Sequence, residues 1–143
     1  MSDRATAERK RIVQERANGC CEYCKSQARF ETYSFAIEHI VPKSRGGTTS
    51  LENLAFSCQG CNNAKFTKVQ AFDPLTKTLV PLFHPRQNKW REHFEWNADF
   101  TLIVGLTPIG RATVLALQLN RIGLINLRRI LHLTGNHPPV ERD

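Results

Sequence analysis

Long hydrophobic runs are missing from this chain. Its most apolar stretches, around residues 102–106 and 114–119, fall far short of the roughly 20 residues that a bilayer-spanning helix needs, so no membrane partner is expected. Residues 1–13 mix Arg4, Arg9, Lys10 and Arg11 with Asp3 and Glu8, and hold no apolar core of signal-peptide length. A cytoplasmic location is the default expectation. In that reducing setting the five cysteines are read as metal ligands or free thiols, not structural disulfides. Internal repeats and low-complexity segments are lacking too, and no recognition helix or zinc-finger array offers a readable sequence specificity. Acidic residues are short as well: 13 Asp and Glu against 20 Lys and Arg give a formal charge of +7, with an isoelectric point near 9.5. Such a balance favours a polyanionic partner, with nucleic acid first among the candidates.

What is present fits one folded domain over residues 1–143. Hydrophobic residues make up 41% and charged residues 23%, which is globular rather than disordered composition. A short helix is expected over residues 5–17, where Ala5, Ile12, Val13 and Arg16 precede an Asn18-Gly19 stop. Residues 30–40, rich in aromatic and β-branched types, read as a strand or hairpin with Phe35 and Ile37 on one face. Residues 42–50 carry Gly46-Gly47 and three consecutive hydroxyl residues, which is loop chemistry. Leu54 to Phe56 suggests a brief returning strand, and a helix is expected to start near Asn62 and run toward Gln70.

Further on, residues 74–85 read as a turn and extended connector. Trp90, Phe94 and Trp96, then residues 101–106, suggest a strand pair around Asn97-Ala98-Asp99. Thr107-Pro108 reads as an N-cap followed by proline at the first helical position, opening a helix to about Leu119. Another helix from about Leu124 to Leu133 should stop at Gly135. The expected class is α+β, with a core over residues 20–70 and a C-terminal extension over residues 80–135 packed on it.

Cys21-x-x-Cys24 and Cys58-x-x-Cys61 form two paired-thiol knuckles. A two-residue gap turns both sulfurs of a pair toward one ion, and two pairs complete a closed tetrahedral zinc site. A closed site leaves no position for substrate, so this Zn2+ is expected to be structural; four thiolates and one dication add a net −2, leaving about +5. Cys20 is the odd residue, and the tighter spacing favours Cys21 as the ligand.

Between and beyond the knuckles run Glu38-His39-Ile40-Val41-Pro42-Lys43-Ser44-Arg45-Gly46-Gly47, then Asn53-Leu54, then Cys61-Asn62-x-x-Lys65. This pattern resembles the HNH endonuclease motif, over about residues 21–65. The resemblance implies a ββα-metal fold that cuts DNA phosphodiesters with one divalent ion. It implies that His39 activates the attacking water, that Glu38 and Asn62 hold Mg2+ or Mn2+, and that Asn53 braces the loop behind the histidine. Glu38 stands where Asp is frequent and Asn62 where some members carry His.

The residue types suit the chemistry. Hydrolysis of a phosphodiester needs a base near neutral pH, which an imidazole supplies. A metal held only by a carboxylate and an amide oxygen keeps positions for phosphate and water, as Mg2+ usually does. Neighbouring residues of a regular strand face opposite ways, so serving one phosphate requires the strand to end or bulge at Glu38, with His39 near Asn62 and the zinc apart. Lys65, three residues after Asn62, is expected on nearly the same helical face and, with Lys43 and Arg45, is a candidate DNA contact.

The remaining residues read more blandly. His84, His93, His132 and His137 are taken as structural or surface. Trp90 and Trp96 are taken as core more than as stacking platforms. Arg111, Arg121, Arg128 and Arg129 are placed on a solvated face of the C-terminal helices. The segment from Gly105-Leu106-Thr107-Pro108 to Leu119-Asn120-Arg121 is similar to the tail of small stand-alone bacterial HNH proteins, a similarity that assigns these residues no role. Against the nuclease stand two other classes: a catalytically silent, zinc-stabilised nucleic-acid-binding module, and a protein-interaction zinc domain.

Overall fold

The computed structural model describes residues 6–140. The first helix, α1 (Ala7–Arg16), starts where the Thr6 hydroxyl accepts from the Arg9 amide at 3.1 Å. It ends at Asn18 and Gly19, both with positive φ, as the Asn-Gly stop implies; Ala5, the first residue of the expected helix, lies outside the described residues. Only Val13 of α1 is buried, against Leu54 and Phe56 with Phe35 and Ile37 alongside. These side chains belong to the hairpin of β1 (Ala36–His39) and β2 (Leu54–Ser57), which pair antiparallel with His39 opposite Leu54.

The next helix, α2 (Gln59–Lys65), begins three residues earlier than Asn62 and stops at Lys65, short of the expected Gln70. The early start has a local cause: the Cys58 sulfur caps the helix by accepting from the Cys61 amide. The early stop coincides with Phe66 at φ 51°, a conformation outside the helical range. Residues 74–85 are not a plain connector. They hold the turn and second strand of a hairpin, β3 (Gln70–Phe72) with β4 (Leu79–Pro81). The Asp73 carboxylate shapes that turn by accepting from the Leu75 and Thr76 amides and the Thr76 hydroxyl.

Trp90 sits in a one-turn helix, α3 (Trp90–His93), and not in the strand pair that follows, β5 (Phe94–Trp96) with β6 (Ile103–Gly105). Asn97 closes this hairpin by accepting from the Thr101 and Leu102 amides at 3.0 Å. Thr107 and Pro108 open α4 (Pro108–Ala116), with the Thr107 hydroxyl accepting from Gly110 at 3.0 Å. The last helix, α5 (Ile122–Leu133), is followed by Gly135 in the left-handed region. Among the described residues the architecture is α+β, with three separate two-stranded sheets among helices.

One continuous core joins the knuckles to the C-terminal helices: Tyr23, Ile40, Phe83, Trp90, Phe94, Ile103, Leu117 and Leu124 share a single cluster. Phe83, Trp90 and Phe94 supply its aromatic centre, with Phe94 5.2 Å from each of the other two rings. The arginines of this half are not a solvated face. Arg128 is buried and donates to the Thr101 and Leu119 carbonyls and to Asn120. Arg111 makes two 2.9 Å bonds to Asp73 and holds that carboxyl below the usual carboxylate range. Only Arg129, bonded to Asn126, lies on an exposed face. Gly110 is dictated by contact: a Cβ there would lie 2.0 Å from the His93 carbonyl oxygen. The four histidines of this half are held locally, for example His93 by Thr107 at 2.6 Å and His137 by the Phe100 carbonyl at 2.8 Å.

Candidate active site and metal centre

Cys21, Cys24, Cys58 and Cys61 are all buried, and their sulfurs lie within 4.8 Å of one another. A tetrahedron with zinc–sulfur bonds of ~2.3 Å has edges of about 3.8 Å, close to the 3.6 Å between the Cys24 and Cys58 sulfurs. Each knuckle is shaped by its own backbone: the Cys24 amide points at the Cys21 sulfur and the Cys61 amide at Cys58. Burial pushes the Cys24 thiol well up, a cost that a dication removes by favouring the thiolate. The four residues fit Zn2+. Cys20 stays outside the cage, its sulfur directed to the Asn18 carbonyl.

Arg121 reaches this cage from the link between α4 and α5. Its guanidinium lies 3.2 Å from the Cys58 sulfur and 3.6 Å from that of Cys61. The approach requires Gly60, where a Cβ would lie 2.4 Å from the guanidinium. Four thiolates around one zinc carry a net −2, which an adjacent guanidinium offsets. The Asn120-Arg121 pair was visible in the sequence, but nothing there linked it to cysteines 60 residues away.

The hairpin registers regularly through Glu38 opposite Ala55 and His39 opposite Leu54. The break in alternation required at Glu38 does not occur. Glu38 turns inward, 6% exposed; it accepts from the Tyr23 hydroxyl and lies 3.3 Å from the Lys65 ammonium. Burial raises the Glu38 carboxyl, with Lys65 and Tyr23 pulling it back. Lys65 is 1% exposed and donates to the Ile40 carbonyl at 2.8 Å. Its place as a DNA contact is therefore corrected: an ammonium sealed between α2 and the end of β1 does not meet a phosphate.

His39 occupies the other face, half-buried, with Nε2 2.9 Å from the Thr49 hydroxyl. Asn53 organises the loop that carries Thr49. It accepts from the Val41 amide at 2.8 Å and donates to the Val41 carbonyl at 2.9 Å and the Thr48 carbonyl at 2.7 Å. Gly47 is needed here, because a Cβ would lie 1.7 Å from the Val41 oxygen. Lys43 and Arg45 are exposed in the same loop, and Arg45 is tied to the Thr67 carbonyl at 2.6 Å.

Asn62 is partly exposed on α2, and its side chain makes no hydrogen bond among the described residues. Its amide oxygen is an available hard donor. Glu38 is not, since both carboxylate oxygens are engaged and an ammonium already neutralises them. The pair does not form an open cradle for Mg2+ or Mn2+ in this arrangement, a correction to Glu38 as a metal ligand beside His39. Among the described residues, Cys21, Cys24, Cys58 and Cys61 are the group of three or more His, Cys, Asp or Glu placed to hold an ion.

A two-stranded hairpin and a helix gathered around a four-cysteine cage fit for Zn2+, with a histidine at the end of the first strand, define a ββα module. Residues 21–68 match the family model for HNH endonuclease. The match covers about a third of the chain and supports its similarity to the HNH endonuclease family. The segment starts at the first cage cysteine and takes in β1, β2 and α2, and the activity it points to is nuclease activity on nucleic acids. No curated protein and no solved structure matches the chain. No helix among the described residues is long and apolar enough to cross a membrane.

Two substitutions test this site. Arg121→Ala should speed zinc transfer to a chromogenic chelator about 10- to 100-fold, with Arg121→Lys intermediate; equal release rates from all three proteins contradict the guanidinium's role. Lys65→Met leaves a buried carboxylate unpaired and should cost about 3–5 kcal/mol in denaturant unfolding. The companion Lys65→Met, Glu38→Leu double variant should recover much of that loss, and a surface-like cost below about 0.5 kcal/mol for Lys65→Met contradicts the buried pair.

Proposed function

We propose that the protein is an endonuclease or nickase that hydrolyses DNA phosphodiester bonds, with His39 as the base that takes the proton of the attacking water. The observation that carries this reading is His39's place at the end of β1, on the face away from the buried Glu38, beside a loop closed by Asn53. Asn53 fixes Thr48, the neighbouring Thr49 holds the imidazole through Nε2, and the ring is thereby oriented without a contact from Asn53 itself. Exposed Lys43 and Arg45 add positive charge along the same loop, suited to phosphate.

Family resemblance adds Mg2+ or Mn2+ at Glu38 and Asn62. Such an ion would supply Lewis-acid stabilisation of the developing charge. Glu38 serves it only on leaving Tyr23 and Lys65, so what the chain's own residues provide is a base, a braced loop and an unengaged Asn62 amide. The same inward turn of Glu38 favours a second reading, a zinc-stabilised nucleic-acid-binding module without catalysis.

A supercoiled-plasmid assay across divalent ions separates them. The nuclease is expected to convert plasmid to nicked or linear forms, and His39→Ala to lower the rate by about 10²–10⁴-fold while keeping its zinc. Plasmid that is retarded but never cut with any divalent ion supports the binding module, and cutting unchanged in His39→Ala overturns the assignment of the base.

A further inference from the structure

Helix α2 ends in a strained turn whose exposed side chain gains nothing from packing. Phe66, at φ 51° and ψ −118°, takes the values of the first central position of a type II′ turn, about 60° and −120°. The Lys68 amide closes the turn on the Lys65 carbonyl at 2.9 Å. Glycine is the residue this position prefers, because a Cβ crowds the backbone there, and a bulky residue with positive φ is an outlier. Phe66 is nevertheless 75% exposed, and its ring makes no ring contact among the described residues. Burial therefore does not offset the strain. Strained backbone of this kind is concentrated at sites that bind or react.

The turn is fixed to the His39 region on both sides of the ring. Lys65, the residue before it, donates to the Ile40 carbonyl at 2.8 Å, and its ammonium lies 3.5 Å from the carbonyl oxygen of His39. Thr67, the residue after it, accepts from Arg45 Nε at 2.6 Å, and Arg45 belongs to the loop that carries Thr49. Lys68 donates to the Ala64 carbonyl at 2.8 Å. These partners of Arg45 and Lys68 are neutral oxygens, so they orient the two cations without cancelling their charge. An exposed ring flanked by two cations offers a π-face to a base and positive charge to its phosphate, the combination that holds unpaired nucleic acid. A base inside a continuous duplex has both faces covered by its neighbours, so the ring's ligand is a base that has left the stack.

We propose that Phe66 is a stacking platform for an unpaired nucleobase beside the phosphate presented to His39. The inference rests on the nucleic-acid reading of this site and deepens it, adding a preference for single-stranded or locally opened DNA over continuous duplex.

The test uses the full zinc-loaded chain and fluorescence anisotropy, without added divalent ion, on three labelled DNAs: a single strand, a duplex with one bulged base, and the same duplex without the bulge. Wild type should bind the first two more tightly than the third. Phe66→Leu should bind them about 5- to 100-fold more weakly, the loss that removal of an aromatic platform brings, and Phe66→Trp should retain them. No charge is removed, so the slope of log K against log salt should stay at its wild-type value. Phe66→Gly should lose the same affinity while melting no lower than wild type, because glycine relaxes the turn. Equal affinity of wild type and Phe66→Leu for all three DNAs overturns the platform. So does a wild type with no preference for the unpaired base, or with no affinity for DNA. A Phe66→Gly protein that melts well below wild type overturns it as well, by showing that the ring is packed. Self-association of wild type that Phe66→Gly abolishes, with DNA affinity unchanged, assigns the ring to a protein contact instead. Tight binding of the bulged duplex without cutting by any divalent ion defeats the nuclease reading alone, because the stacking comparison stands without cleavage.

Discussion

Four sulfurs buried within 4.8 Å of one another are the constraint on which the rest of this structure depends. Without a dication four thiolates this close repel one another; with one, metal affinity becomes folding free energy. The cage joins two chain segments that no regular sheet connects. Cys21 and Cys24 come from the knuckle beneath α1, and Cys58 and Cys61 from the first turn of α2. Between them runs the hairpin that carries His39. Arg121 extends the same constraint outward, laying the link between α4 and α5 against the sulfurs at the one place where Gly60 leaves room.

The knuckle also determines which way Glu38 turns. Tyr23 lies between Cys21 and Cys24, fully buried, and its hydroxyl meets Glu38. Lys65 closes the network from the last residue of α2, one turn beyond Cys61. A buried ion pair contributes little net stability but is costly to break. Here it fixes the register of β1 against α2, so that Glu38 faces in and His39 faces the Thr49 loop. The four-cysteine cage and His39 are thus connected through Tyr23, Glu38 and the strand, not through a shared ligand.

The cage was legible in the sequence because metal spacing is a local property: two residues between cysteines suffice. Thr107-Pro108 and the turn at Asn97 were legible for the same reason, each being a capping or turn preference within a few residues. Glu38 and Lys65 were not, because strand alternation states that neighbours diverge without naming the side that holds a partner 27 residues away. The α2 start was displaced by a sulfur cap in place of the usual hydroxyl or carboxylate. The hairpin of β3 and β4 has strands of three residues, too short to establish a period. Arg128 and Arg121 read as surface charge because their partners, carbonyls and thiolates from distant segments, exist only once the chain has folded.

Hydrogen exchange with and without zinc measures most directly whether the cage organises the site. Three amides report on its three dependents: Ile40 at the end of β1, Asn62 in α2 and Leu124 at the start of α5, bonded to the Asn53, Cys58 and Arg121 carbonyls respectively. Removal of zinc should abolish protection at all three together. Protection that survives at Ile40 while only Asn62 is lost would show that the β1–β2 hairpin stands without the metal, and would contradict the account.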